Sequence, residues 1–101
     1  MKLLSKVLAF EWDEANRQKN VAKHRVSNEE CEEVFFDPRK KIAKDIFHSD
    51  RELRYILIGA TRNERYLFIV FTVRKTKIRV VSARDLNCKE YYLYEEKTQT
   101  S

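Results

Sequence analysis

Apolar and polar positions change rhythm partway along this chain. From residue 54 onward, apolar residues come in short runs separated by turn-forming breaks, the spacing of strands rather than helices. Arg54 to Ala60, Tyr66 to Val73 and Ile78 to Ala83 are three such runs, and Lys41 to Phe47 is a fourth just before them. Thr61-Arg62-Asn63-Glu64-Arg65 and Arg74-Lys75-Thr76-Lys77 are short enough to close antiparallel hairpins. Tyr66-Leu67-Phe68-Ile69-Val70-Phe71 is apolar without interruption, which predicts a central strand buried on both faces. Lys6 to Trp12 predicts one more strand, at a sheet edge.

The first half of the chain reads as helical. Asp13 stands where its carboxylate can cap a helix running from about Glu14 to Lys23. That helix is very polar, with Ala15, Val21 and Ala22 as its few apolar residues, and Arg25-Val26 breaks it. Ser27-Asn28-Glu29-Glu30 matches a capping box, and Cys31, Val34 and Phe35 continue it as an i, i+3, i+4 apolar stripe. Asp37-Pro38 ends this second helix. Asn87 and Glu90 form a second cap-like pair ahead of a third helix whose bulk is Tyr91, Leu93 and Tyr94. The tail over residues 97–101 is expected to fray. The prediction is a single α+β domain over residues 1–101: an antiparallel sheet of four to five strands, two N-terminal helices packed on one face, and a C-terminal helix. The other sheet face is left open.

Charge then changes what that open face means. The net charge is +5. Residues 1–50 hold ten Lys/Arg and ten Asp/Glu, whereas residues 51–101 hold eleven and six, which supplies the whole excess. Seven arginines (Arg51, Arg54, Arg62, Arg65, Arg74, Arg79, Arg84) and Lys75 and Lys77 thread the predicted strands, opposed between Arg51 and Arg84 only by Glu52 and Glu64. Guanidinium is planar, permanently charged and shaped for phosphate. A sheet carrying several arginines is therefore a candidate platform for a phosphodiester, or for an acidic partner protein.

Other classes fall away. One glycine and one proline argue against long flexible linkers. No apolar run is long enough to span a membrane. The first ten residues faintly resemble a signal peptide, but Lys6 interrupts the apolar run and Glu11-Trp12-Asp13-Glu14 stands where small cleavage residues belong. Cys31 and Cys88 are far apart with no CxxC or histidine-rich companion, so neither a zinc site nor a disulfide framework is expected. Both fall in predicted helices and are read as buried thiols of a reducing, cytoplasmic environment.

An ordered set of short pieces carries a family resemblance. Phe10-Glu11-Trp12-Asp13, Lys23-His24 with Val26-Ser27 behind it, Glu33-Val34-Phe35 and Asp37-Pro38 come first. Glu52-x-Arg54, Leu57-Ile58-Gly59, Phe71-Thr72-x-Arg74, Ile78-Arg79-Val80-Val81-Ser82-Ala83-Arg84, Glu90 and Tyr94-Glu95 follow. In order and spacing, over roughly residues 10–96, the chain resembles BrnT-type toxins. It departs from their pattern at Arg25, where Lys-His-Gly has become Lys23-His24-Arg25, and at Leu86-Asn87, which replace Ala-Thr. The resemblance implies a RelE-like fold and the toxin half of a type II toxin–antitoxin pair: a ribonuclease that stops translation by cutting RNA. It also implies a BrnA-type antitoxin of ribbon-helix-helix fold, which binds the toxin directly and through which alone the pair reaches operator DNA.

Cutting RNA without a metal requires a base for the 2′-OH proton, cations for the charge that builds on phosphorus, and an acid for the leaving 5′-oxygen. No Asp/Glu/His cluster in the sequence has the look of a metal site, and no cofactor is expected. Arg79 shares one strand face with Val81 and Ala83 and is read as a phosphate clamp, against the alternative of an ion pair with Glu90. Arg54 is a second clamp, with Glu52 two residues away to orient it. Lys23 and His24 are the proton-transfer candidates, against the alternative that they merely complement a helix C-terminus. Arg74, Lys75, Lys77 and Arg84 are expected to guide the RNA backbone, with capping or pairing to Asp85 as the other reading for Arg84. His48 is read as a surface residue and Trp12 as a core anchor. At least one of Tyr91, Tyr92 and Tyr94 is expected to be buried. The rival to a nuclease is a non-catalytic basic module or a degenerate toxin.

Overall fold

The computed structural model describes residues 9–12, 25–45 and 52–94. The predicted first helix, with Lys23 and His24, lies outside the described residues, as does His48. The elements in chain order are β1 (Ala9–Glu11), α1 (Asn28–Phe35), β2 (Lys41–Lys44), β3 (Tyr55–Ala60), β4 (Tyr66–Arg74) and β5 (Lys77–Asp85). A helical turn over 91–94 follows.

The five strands form one sheet in the order β1-β5-β4-β3-β2. β2 to β5 are antiparallel neighbours, as the short connections require. The expectation of a wholly antiparallel sheet needs one correction. β1 pairs parallel to β5, with Phe10 opposite Ile78 and Glu11 opposite Arg79. Hairpin signals see only neighbours in sequence, whereas β1 and β5 meet across the rest of the domain, through the long crossover that parallel pairing needs.

α1 forms where the capping box predicts it. Ser27 Oγ accepts the Glu30 N–H at 3.1 Å, and the Glu30 carboxylate accepts the Ser27 N–H at 3.0 Å. Its stripe of Cys31, Val34 and Phe35 is buried. Against it pack Leu57 of β3, Leu67, Ile69 and Phe71 of β4, and Ile78, Val80 and Ala83 of β5. Each large aliphatic or aromatic side chain fully withdrawn from water here contributes about 1.5–3 kcal/mol. Gly59 is what lets α1 sit so close, since a Cβ there would fall 2.8 Å from Val34 Cγ1.

Among the described residues, the opposite sheet face is covered at one end, by the last helical turn. Ile58, Leu86 and Tyr94 form a second small core, flanked by Ile56, Tyr66, Phe68, Tyr91 and Leu93. The Tyr94 hydroxyl donates to Asp37 Oδ2 at 2.9 Å, and the same oxygen accepts the Ala60 N–H at 2.8 Å. Burial, then this hydrogen bond, raises the tyrosine pKa above its ordinary value. Half-coverage explains why β4 is not buried equally on both sides. Leu67, Ile69 and Phe71 are fully buried, whereas Tyr66, Phe68 and Val70 are only partly so. Of the three tyrosines in the last turn, Tyr94 is buried and Tyr92 exposed.

The cysteines part company. Cys31 is buried in α1, and burial first, then the charges of Glu30 and Glu32, push its thiol up to about 12. Cys88 is exposed in the turn ahead of the last helical turn, not inside a helix as expected. Among the described residues no helix is long and apolar enough to cross a membrane.

Candidate nucleic-acid interface

A two-residue turn decides the geometry of the open end of the sheet. Arg74 pairs with Lys77, so Thr72 stands opposite Arg79. Tyr55 pairs with Phe71, and one further step sets Arg54 beside Thr72. The Asp45 N–H donates to the Arg54 carbonyl at 2.8 Å, and Glu11 stands opposite Arg79 on the other side. A row therefore runs across this end of the sheet, from the residues next to β2 and β3 through β4 and β5 to β1: Asp45, Arg54, Thr72, Arg79, Glu11. Alternation puts these side chains on the face away from α1, because Tyr55, Phe71 and Ile78, one residue along each strand, belong to the core under α1. Arg54 and Arg79 thus share the face opposite α1, which among the described residues the last helical turn does not cover at this end.

The lysines of the hairpin, Lys75 and Lys77, extend this charge at the sheet's end and are exposed. Lys75 has φ 56, a left-handed backbone that the tight turn imposes on a residue with a Cβ. Arg74 is tied down. Its Nε donates to Glu52 Oε2 at 2.7 Å, and this bond leads the causes that lower the Glu52 pKa, with Arg79 adding through space. The Glu52 carboxylate, read as the orienting group of Arg54, thus lies against Arg74.

Arg84 and Arg65 are engaged as well. Arg84 donates through both terminal nitrogens to the Glu90 carboxylate at 2.9 Å, and its guanidinium lies 4.1 Å from the centre of the Phe68 ring. Glu90 also accepts the Asn87 N–H at 3.0 Å while Asn87 Oδ1 accepts the Glu90 N–H at 3.0 Å. Arg84 therefore anchors the cap of the last helical turn, and Glu90 is its partner. Arg65 bonds Asp85 at 2.7 Å, Glu30 at 3.0 Å and the carbonyl of Arg25 at 2.7 Å.

Beside the arginine row this face dips into a hollow of about 400 Å³, lined by Asp45, Arg54, Ile56, Phe68, Val70, Val81 and Ser82. The register shifts here. Val70 pairs with Ser82 but Phe71 with Val80, so Val81 is an extra residue. The sequence assigns no role to Thr72, Asp45 or Ser82, although Thr72 and Ser82 stand in the resemblance motifs. A signal for Thr72 was present, since folding the strands about Lys75-Thr76 already brings it level with Arg79. Thr72 is 1% exposed, and its hydroxyl has no partner in hydrogen-bond geometry, although it lies near enough to Glu52 to help hold that carboxylate charged. Among the described residues no group of three or more His, Cys, Asp or Glu is placed to hold a metal ion.

Two comparisons bear on this arrangement. A family model described as "Ribonuclease toxin, BrnT, of type II toxin-antitoxin system" matches residues 12–90. The crystal structure of the Brucella abortus ribonuclease toxin BrnT is similar in fold, with a TM-score of 0.61 at 23% identity, over 80% of this chain and 99% of that one. A search of curated proteins finds no match.

Proposed function

The chain belongs to the BrnT family of ribonuclease toxins of type II toxin–antitoxin systems, and on that premise we propose that it cuts RNA on the open end of its sheet, without a metal, and so inhibits translation. The observation that carries this reading is the shared row of Arg54 and Arg79 on the face away from α1. Two guanidinium groups on one face suit a phosphodiester. They hold its non-bridging oxygens in the ground state and hold them more strongly as negative charge builds on phosphorus.

In the proposed reaction a base removes the 2′-OH proton, and the 2′-oxygen attacks the adjacent phosphorus. The bond to the 5′-oxygen breaks, and that oxygen takes up a proton. The products are a 2′,3′-cyclic phosphate and a 5′-hydroxyl. Arginine does not serve as the base at neutral pH, so Lys23 and His24 are proposed for the proton transfers. Glu52 orients the cationic end through Arg74. Arg74, Lys75, Lys77 and Arg84 draw in the RNA backbone.

Neutralisation is proposed to come from a BrnA-type antitoxin of ribbon-helix-helix fold, with operator DNA bound only through it and with the pair acting in the cytoplasm. The arginine in place of glycine at residue 25 does not speak for a degenerate toxin. Arg25 takes φ 54, the backbone that a glycine would adopt there, and Arg65 holds its carbonyl.

Incubating the purified protein with RNA, with and without EDTA and with and without ribosomes, tests the reading. Cleavage that persists in EDTA and yields cyclic-phosphate ends is expected. RNA left intact under every condition would favour a non-catalytic basic module.

A further inference from the structure

We propose that the hollow beside the arginine row is a nucleobase pocket, receiving the base next to the phosphate held by Arg54 and Arg79, and that it prefers a base carrying an exocyclic amino group. The inference rests on the ribonuclease reading of the same face and adds what that reading lacks, a determinant of sequence preference.

Position is the first argument. Arg54 belongs both to the row and to the hollow's lining. Ile56, Val70 and Ser82 lie on neighbouring strands in one line, since Ile56 pairs with Val70 and Val70 with Ser82. That line runs beside the line of Arg54, Thr72 and Arg79. A chain whose phosphate sits on the arginines has its adjacent base over the hollow.

Lining is the second. Ile56, Phe68 and Val70 are apolar and only partly buried, with Ile56 and Phe68 bordering the small core under the last helical turn. A flat aromatic base is the kind of group that such a floor buries, and Phe68, with the Arg84 guanidinium 4.1 Å from its ring centre, is a stacking element of the type that single-stranded RNA uses. The volume of about 400 Å³ is within the range of small-ligand sites, about 300–1,000 Å³. The extra residue Val81 supplies the local irregularity by which a strand re-aims its side chains beside a site.

Polarity is the third. Asp45, 7% exposed, and Ser82 supply the polar lining along with Arg54. A carboxylate only accepts, through about four lone-pair sites, enough to serve a partner within the protein and a base as well. Adenine, cytosine and guanine offer it an amino group, whereas uracil offers carbonyl oxygens and a single ring N–H. Uridine is therefore the disfavoured nucleotide.

Titrating the full chain with the four nucleoside 3′-monophosphates and with inorganic phosphate tests this. The three amino-bearing nucleotides are expected to bind about tenfold tighter than inorganic phosphate, with uridine 3′-monophosphate clearly weaker than they are. Val70→Trp, which fills the hollow, should bring every nucleotide down to the affinity of phosphate while leaving phosphate binding intact. Ser82→Phe fills it from the other strand if the first variant does not fold. Asp45→Asn should erase the discrimination against uridine. Equal affinities for all five ligands, or discrimination unchanged in the folded variants, would overturn the pocket. Selective nucleotide binding by a protein that leaves RNA uncut would remove the nuclease reading and keep the pocket. Cleavage with a sequence preference that these variants do not alter would do the reverse.

Discussion

Arg65 Nη1 donates to the carbonyl of Arg25 at 2.7 Å, and Arg25 carries a left-handed backbone, φ 54. The two facts are linked. The entry to α1 turns sharply, a glycine would make that turn without steric cost, and here an arginine makes it under restraint from a second arginine. Arg65 also grips Glu30 of the capping box and Asp85 at the end of β5. It thus ties the turn, the helix start and the sheet together, which accounts for one arginine of the basic segment without reference to RNA.

Arg25→Gly should relieve the left-handed strain and stabilise the fold by about 1 kcal/mol. For a domain of this size the melting temperature should rise by about 4–8 °C, with RNA cleavage unchanged. Calorimetry on the two proteins decides it. An unchanged or lower melting temperature would show that the Arg25 side chain contributes more than its backbone costs.

Gly59→Ala acts in the opposite sense. The added methyl would meet Val34 Cγ1 at 2.8 Å and Asp37 Oδ2 at 3.2 Å, so α1 must shift. Overpacking of this kind costs about 1–3 kcal/mol. Urea unfolding should show the loss, and combining Gly59→Ala with Val34→Ala should give less than the sum of the two single costs, because the second change opens room for the first.

Acid and alkali should each remove a defined contribution. Glu90 titrates below its ordinary 4.5 because of the Arg84 hydrogen bond. Glu30 also lies below 4.5, since the Ser27 N–H and Arg65 together outweigh a burial effect that would raise it. Groups with depressed pKa stabilise the fold above the unfolded value and lose that contribution as pH falls below about 4.5. Tyr94 has the opposite sign, raised above 10.0 by burial and by the bond to Asp37. Its contribution is complete below pH 10 and fades above it. Urea midpoints measured from pH 3 to 11 should fall at both ends. Glu90→Gln should flatten the acid limb and Tyr94→Phe the alkaline limb.

The hairpin lysines should act through charge alone. Lys75→Ala and Lys77→Ala should weaken RNA binding about equally for all sequences. Each should reduce the slope of log affinity against log salt by about 0.7, the value for one phosphate contact on a single strand. A slope unchanged in both variants would place the RNA path away from this hairpin.

How much of this was legible in the chain differs from element to element. The Ser27–Glu30 capping box, the Asn87–Glu90 pair and the two short hairpins are local, and local chemistry fixes them. The hairpin about Lys75-Thr76 even fixes which residue faces Arg79. The parallel pairing of β1 with β5 joins residues about seventy positions apart, and no neighbouring signal announces it. The extra residue at Val81 could not be read, since Val80-Val81 is simply two valines in an apolar run. The roles of the arginines were mixed for the same reason. Composition counts guanidinium groups, but only the fold shows that Arg65, Arg74 and Arg84 meet Glu30, Glu52 and Glu90.

Single-turnover cleavage of one RNA by the parent protein, Arg54→Ala and Arg79→Ala tests the central claim most directly. Each substitution should slow the chemical step by about 10²–10³-fold, with the fold intact by circular dichroism and with Arg54→Lys and Arg79→Lys recovering only part of the rate. Cleavage at the parent rate in both alanine variants would mean that the RNA is cut elsewhere on the molecule.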